Sequence, residues 1–469
     1  MSRILMVASE AAPFVKTGGL ADVLGSLPAA LVERGDEVAV VLPRYRSMFG
    51  VPSERVWFDM PLSVGPHFFR AAIDQVIRKG VRYLMVDCPP LYDRAGIYDE
   101  AGWGYGDNHI RYALLCQAAI GVARGLFRTD VFHGHDWQAG LLAAYLKANF
   151  AGDPTFFGTK SVFTIHNLGY QGNFGAHLYP DLGLDWSLFH TEGLEFWDNV
   201  SCLKAGIVYS DAVTTVSPTY AREIQTPEFG FSMDGLLRTR AYKLTGILNG
   251  IDYHDWDPEI DPHIAAHYSS TNLSGKAECK RALLEELGLP LDMERPLMGI
   301  VSRFADQKGF DIFADISGWV AQQDVMLAVL GSGEPRFEEM FRFFARVHPD
   351  RFGVRIGYDN ALAHRIEAGS DMFLMPSRYE PCGLNQMYSL RYGTVPVVRS
   401  TGGLADTVDD SNGFRFFGYE PKSLADTITH ALECFGDREA WIERQRNGMA
   451  RDLSWEHSAA EYQKLYRST

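Results

Sequence analysis

Short apolar runs separated by helical stretches recur along most of this chain, and that alternation limits its fold more than any other feature. Runs at 4–8, 37–42, 83–86, 131–133, 162–165 and 212–216 have the continuous apolar character of strands buried on both faces. The stretches between them supply crossover helices, the first expected over 20–34 and closed by Gly35. A second series follows, with strands at 298–302, 326–330, 372–375 and 395–398 and helices at 335–347 and 383–392. Between the two series, 251–275 loses periodicity and fills with Asp, Pro, Ser and His, as a linker or surface excursion does. The expected class is therefore α/β, with two doubly wound parallel sheets in two domains, 1–245 and 246–454. A last helix over 455–469 carries Ala459, Tyr462, Leu465 and Tyr466 on one face and is expected to return to the first domain.

A chain of 469 residues exceeds one ordinary core, which agrees with two domains. Its formal charge of −15 would repel phosphate backbones and anionic lipid, so neither nucleic acid nor membrane is an expected partner. Six scattered cysteines without a CxxC pair signal neither a disulfide framework nor a zinc ribbon. The apolar stretch at 4–8 is too short for a secretory signal, and no stretch reaches the ~18 residues of a membrane span. A reducing, cytoplasmic setting is the expectation.

One hexapeptide occurs twice, as Thr17-Gly18-Gly19-Leu20-Ala21-Asp22 and Thr401-Gly402-Gly403-Leu404-Ala405-Asp406, each time after an apolar strand and at a helix start. Either copy alone reads as a tight strand-to-helix turn. Two copies in two sheets favour a pair of helix ends suited to phosphate, and hence a ligand in a cleft between the domains. P-loop, HExxH and GxSxG signatures are absent, and neither GxG stretch supports a nicotinamide dehydrogenase. A rival reading comes from His133-Gly134-His135-Asp136, where alternation puts both imidazoles on one strand face. With His166 this would make the three-His site of a metal-dependent hydrolase, although no acidic bridging ligand is evident.

The second half holds a denser set. Arg303 and Lys308 follow a strand, at the sheet edge where open α/β folds bind ligands. Bidentate Arg and point-charge Lys suit a departing diphosphate, doing what a divalent ion does elsewhere. Pro376-Ser377-Arg378-Tyr379-Glu380-Pro381-Cys382-Gly383-Leu384 follows another strand, so Glu380 should sit beside the cations and accept from sugar hydroxyls. Cys382 reads as a small packed residue, since no base is signalled near it.

These residues together resemble bacterial glycogen synthases and plant starch synthases, which are retaining glycosyltransferases of the GT-B architecture, two Rossmann-like domains facing across a cleft. The resemblance spans the chain through Lys16 to Asp22, His135-Asp136-Trp137, Ile165-His166-Asn167, Leu248-Asn249-Gly250-Ile251-Asp252, Ser302-Arg303, Gln307-Lys308-Gly309, Glu380 to Leu384 and Thr401 to Asp406. It implies that Arg303 and Lys308 bind the diphosphate, that Glu380 contacts the donor sugar, and that His166 lies near the anomeric carbon. It implies a donor site made with Lys16, Gly18, Gly19, Asn249, Tyr358, Cys382, Gly383, Leu384, Thr401 and Gly402, with Tyr358 stacking on the base. Asp22, His135, Asp136 and Asn167 would line the sugar or acceptor side.

The implied reaction moves glucose from ADP-glucose to the 4-hydroxyl at the non-reducing end of an α-1,4-glucan such as glycogen, with retention, no metal and no cofactor. A UDP-glucose-using enzyme of the same fold is the alternative, because stacking on Tyr358 accepts either base. Two positions depart from relatives. Tyr388 stands where the wider clan often carries a second Glu, and Asn385 stands where many relatives carry Thr. The triplet Asp255-Trp256-Asp257 would suit a metal-dependent GT-A enzyme but falls in the 251–275 excursion, away from every matched donor residue.

Overall fold

A computed structural model describes residues 1–100 and 102–469. The chain forms two compact units, one of Met1–Val216, Ala221–Gly250 and Trp455–Thr469, the other of Ser217–Tyr220 and Ile251–Ser454. The boundary falls after Gly250, not after residue 245. The strand Leu244–Gly246 pairs in parallel with Ala212–Thr215, and Ile247 N–H continues that ladder onto the Thr215 carbonyl at 2.8 Å, which keeps these residues in the first unit. Ser217–Tyr220 joins the second unit because Thr219 donates to Asp406 through both its N–H, at 2.9 Å, and its hydroxyl, at 2.6 Å.

The first unit is built on a nine-stranded sheet. Its order is Leu244–Gly246, Ala212–Thr215, Lys160–Ile165, Val131–His135, Arg3–Val7, Glu37–Pro43, Val81–Asp87, His67–Arg78, Glu54–Val64. All neighbours run parallel except the last three strands, which pair antiparallel. That long hairpin is absent from the sequence expectation. The order reverses direction at Arg3–Val7, so the crevice between its C-terminal end and that of Val131–His135 is a topological switch point.

The helix Gly19–Glu33 buries Leu20, Val23, Leu24, Leu27 and Leu31, each worth about 1.5–3 kcal/mol of transfer free energy. Pro28 lies inside it and can donate nothing to the Leu24 carbonyl. Buried Tyr83 supplies the missing donor, its hydroxyl 3.2 Å from that oxygen. The final helix Trp455–Ser468 returns to this unit as expected. It buries Ala459, Tyr462 and Tyr466, and Gln463 bridges Arg34 and Asp36 at 3.0 and 2.7 Å.

The second unit holds a wholly parallel six-stranded sheet ordered Phe352–Ile356, Met326–Gly333, Leu297–Phe304, Met372–Met375, Val395–Arg399, Phe414–Phe416. Its switch point lies between Leu297–Phe304 and Met372–Met375. The helices Pro335–Val347 and Asn385–Arg391 stand where the periodicity places them. The stretch 251–275 is no loose linker. Trp256 is sandwiched between His364 and Tyr388 with both ring centroids at 3.7 Å, Arg391 pairs with Asp257 at 2.5 Å, and buried Asp261 accepts from Tyr392 at 2.5 Å and lies 2.8 Å from His364 Nδ1. The Asp255-Trp256-Asp257 triplet is thus part of a clamp on the helix Asn385–Arg391.

Candidate active site

In the second unit the switch point gathers loops that follow three neighbouring strands. Arg303 is exposed at the end of Leu297–Phe304, and Lys308 closes the 3-10 turn Asp306–Lys308 just beyond. Glu380 is buried in the loop after Met372–Met375, where the Lys308 ammonium straddles its two carboxylate oxygens at 2.8 and 2.6 Å and the Ser377 hydroxyl donates at 2.9 Å. This ion pair fixes the carboxylate and presents the lysine at the strand ends. Cys382 is buried among packed backbone, with its carbonyl accepting from Gln386 Nε2 at 3.0 Å. Gly383 and Leu384 lead into Asn385–Arg391, and the Asn385 amide is turned inward to the Val301 carbonyl at 2.6 Å. Asn385 therefore ties the start of this helix to the strand Leu297–Phe304.

The second copy of the repeated hexapeptide lies against this loop. Thr401 immediately precedes the short helix Gly402–Thr407, and Gly403 N–H donates to the Glu380 carbonyl at 3.1 Å. Gly402 has φ +45, and a Cβ on either glycine would overlap a carbonyl oxygen, that of Glu380 for Gly402 and that of Cys382 for Gly403. The first copy differs, because a Cβ on Gly18 would meet nothing within 4 Å. The same residues thus set a close backbone approach in one sheet and an open helix start in the other. Tyr358 is 81% exposed beyond the edge strand Phe352–Ile356.

In the first unit, Lys16 pairs with Asp22 at 2.7 Å across the start of Gly19–Glu33. Buried Glu10, which the sequence reading did not single out, organises this loop: it accepts from Thr17 N–H, from the Thr17 hydroxyl at 2.6 Å, and from Tyr98. Asp136 ends Val131–His135 with φ +56 and ψ −177, backbone angles that side-chain-bearing residues rarely hold. Its carboxylate accepts from His166 N–H at 2.7 Å and from Asn167 N–H, and burial pushes its carboxyl up to about 7 against those two donors. Asn167 closes a turn by accepting from Gly169 N–H at 2.9 Å. Asn249 is buried in this unit, with its Oδ1 lacking a hydrogen-bond partner among the described residues.

The histidines form a hydrogen-bonded stack. His135 Nδ1 lies 3.0 Å from His166 Nε2, and the rings of His133 and His135 are 4.0 Å apart. Both His133 nitrogens are occupied, by Tyr466 at 2.8 Å and Thr164 at 2.6 Å. Burial drives His133 and His166 down to about 3 and His135 well below its usual range, so all three are neutral near pH 7. The three imidazoles point at protein partners and one another, not at a common centre. Among the described residues no group of three His, Cys, Asp or Glu side chains is arranged to hold a metal ion.

Residues 3–239 match the family described as starch synthase catalytic domain, and 287–448 match glycosyl transferases group 1. The chain is 51% identical to a glycogen synthase of Anaeromyxobacter dehalogenans over 99% of both chains, and 48% identical to one of Koribacter versatilis over 99% of this chain and 97% of that one. The chain belongs to the glycogen and starch synthase family. Its fold is that of the catalytic domain of starch synthase IV from Arabidopsis thaliana, solved bound to ADP and acarbose, with a TM-score of 0.92, 31% identity, and coverage of 100% of this chain and 99% of that one. A sucrose-phosphate synthase from Thermosynechococcus elongatus, at 17% identity over 100% and 99% of the two chains, shares the fold with a TM-score of 0.63. Glycogen synthases of this GT-B type are hexosyltransferases.

Set against that family, the structure brings Lys308 and Glu380 into direct contact in the second unit, with Gly402 and Gly403 packed on the Glu380–Cys382 backbone. It brings His135, Asp136, His166 and Asn167 into one cluster in the first. Glu10, Tyr98 and Ser377 are the additions. Glu10 was findable as an acid placed just after the strand at the switch point. Tyr98 and Ser377 carry no comparable signal.

Proposed function

We propose that this chain transfers glucose from ADP-glucose to the non-reducing 4-hydroxyl of an α-1,4-glucan with retention of configuration. The observation that carries the reading is the Lys308–Glu380 pair at the switch point, beside exposed Arg303. A cation already held at the strand ends supports stabilisation of a leaving diphosphate without a metal ion, because its geometry is set before charge develops. Glu380 takes up two hydrogen-bond donors from Lys308 and Ser377, and its remaining lone pairs suit sugar hydroxyls.

Retaining glycosidases use two carboxylates about 5 Å apart, one of them a nucleophile. Here Glu380 serves as an anchor, and we assign a same-face displacement in which the departing phosphate takes the acceptor proton. His166 acts as a neutral group, not as a base, since burial disfavours the imidazolium that taking a proton would form and its Nε2 is already engaged by His135. Exposed Tyr358 would stack on the nucleobase. The test is release of nucleotide on adding glycogen, with ADP-glucose and UDP-glucose in competition, with and without magnesium. The reading expects ADP-glucose to be preferred and magnesium to change the rate less than twofold. Preference for UDP-glucose, or a rate that vanishes in chelator, would overturn it.

A further inference from the structure

The loop that follows His166 carries more than the groups assigned above. Tyr170 lies on it, 50% exposed. Gln171, the next residue, donates through Nε2 to the Phe231 carbonyl at 2.9 Å, and the Phe231 ring is itself 38% exposed. The loop runs into Asn173–Gly175, a strand of a small antiparallel sheet with Asn199–Ser201 and Glu195–Phe196. At the tip of the hairpin between the last two, Trp197 is 76% exposed.

That tip is built against local preference. Trp197 and Asp198 have φ of +51 and +58, and Phe231 and Ser232 have +47 and +66. Consecutive left-handed residues usually include glycine, and a large aromatic ring usually gains by burial. Here two such pairs each carry an aromatic residue to the surface. The hairpin beneath Trp197 is pinned. Asn199 Nδ2 donates to the Trp197 carbonyl at 2.8 Å, Asp198 N–H to Glu195 Oε1 at 2.9 Å, and buried Lys204 to the Glu195 carbonyl at 2.6 Å. Leu194 and Val200 anchor it in the core. The indole is therefore held out by a rigid base.

We infer that Trp197, together with Tyr170 and Phe231, is an acceptor platform that stacks on the pyranose faces of an α-glucan away from the transfer point and sets a preference for polymer over short oligosaccharides. The inference rests on the proposed function and names the part of the acceptor the first unit holds. Sugar rings present an apolar C–H face and a rim of hydroxyls, which suits an indole whose neighbour in the turn, Asp198, is an exposed acceptor. The Asp198 carboxylate, on a chain of net charge −15, disfavours a polyphosphate or an anionic lipid surface. All three rings belong to the unit that carries His166, and each is carried by, bonded to or sheet-paired with its loop.

Native electrophoresis in gels containing glycogen, with parallel kinetics on glycogen and maltotriose, tests this on the full chain. Trp197→Gly is the principal variant because glycine adopts the left-handed turn readily, so loss of fold does not cloud the result. The expectation is weaker retardation by glycogen and a fall of about tenfold in kcat/KM for glycogen relative to maltotriose, with KM for ADP-glucose held. Trp197→Phe should recover most of the difference. Retardation and a glycogen-to-maltotriose ratio equal to those of the unsubstituted chain would overturn the inference, as would light scattering in which Trp197→Gly dissociates a dimer and leaves glycogen retardation intact. If the unsubstituted chain neither transfers glucose to glycogen nor is retarded by it, the proposed function itself falls.

Discussion

At Asp136, burial and hydrogen bonding oppose each other, and the outcome sets how the site responds to pH. The carboxylate accepts from the His166 and Asn167 N–H groups, which favours ionisation, but desolvation dominates and leaves its carboxyl at about 7. An unfolded Asp titrates near ~3.9, so between about pH 4 and pH 7 the folded state retains a proton that the unfolded state has lost. Asp136 therefore withdraws stability as pH rises through that window, while gaining the ionised form that grips the His166 loop. Transfer activity should rise with pH through about 7, and Asp136→Asn should flatten that limb and lower the plateau by about tenfold. A limb that survives unchanged in the variant would assign it to another group. The neighbouring histidines also constrain one another. His135 Nε2 is buried with no hydrogen-bond partner among the described residues, and a buried lone pair is better tolerated than a buried orphan N–H. The proton of His135 thus sits on Nδ1, donates to His166 Nε2, and leaves His166 protonated on Nδ1.

Elements position these residues, and each is held by contacts of differing legibility. The helix Gly19–Glu33 survives Pro28 because Tyr83, on a strand beneath it, caps the Leu24 carbonyl. Tyr83→Phe should destabilise the first unit by about 1–3 kcal/mol through that unpaired buried oxygen, read by denaturant melts. A loss below about 0.5 kcal/mol would show that the carbonyl finds another donor. The buried parallel strands were readable because both their faces are apolar, which makes each a continuous run. The hairpin Glu54–Val64 and His67–Arg78 was not, since register shifts at Arg55/Trp57 and Trp57/Met60 break the alternation an edge hairpin needs to be recognised. The repeated hexapeptide marked two helix starts correctly. It could not reveal that Gly402 and Gly403 pack on the Glu380 loop while Gly18 faces open space, since that depends on which backbone comes near.

Across the whole molecule, the two sheets repeat one logic: the order reverses at a central strand, and the candidate site residues lie on loops at or next to that reversal. The spacing of apolar runs gave the strands that Arg303, Lys308 and Glu380 follow, whereas the reading of His166 near the anomeric carbon came from the family resemblance, and strand order is not legible from spacing. What spacing hides is long-range side-chain bonding. Thr219 is held by Asp406 across 187 positions, and Trp256 is enclosed by His364 and Tyr388, so neither Ser217–Tyr220 nor the 251–275 stretch behaves as the sequence alone suggests. The central claim concerns charge at the reversal point of the second sheet, where Lys308 and Arg303 stabilise the diphosphate as it leaves. Steady-state transfer from ADP-glucose to glycogen by Lys308→Ala tests it most directly. The account predicts a fall in kcat of about 10²–10³ with KM for glycogen little changed. An unaltered kcat accompanied only by a raised KM for glycogen would contradict it.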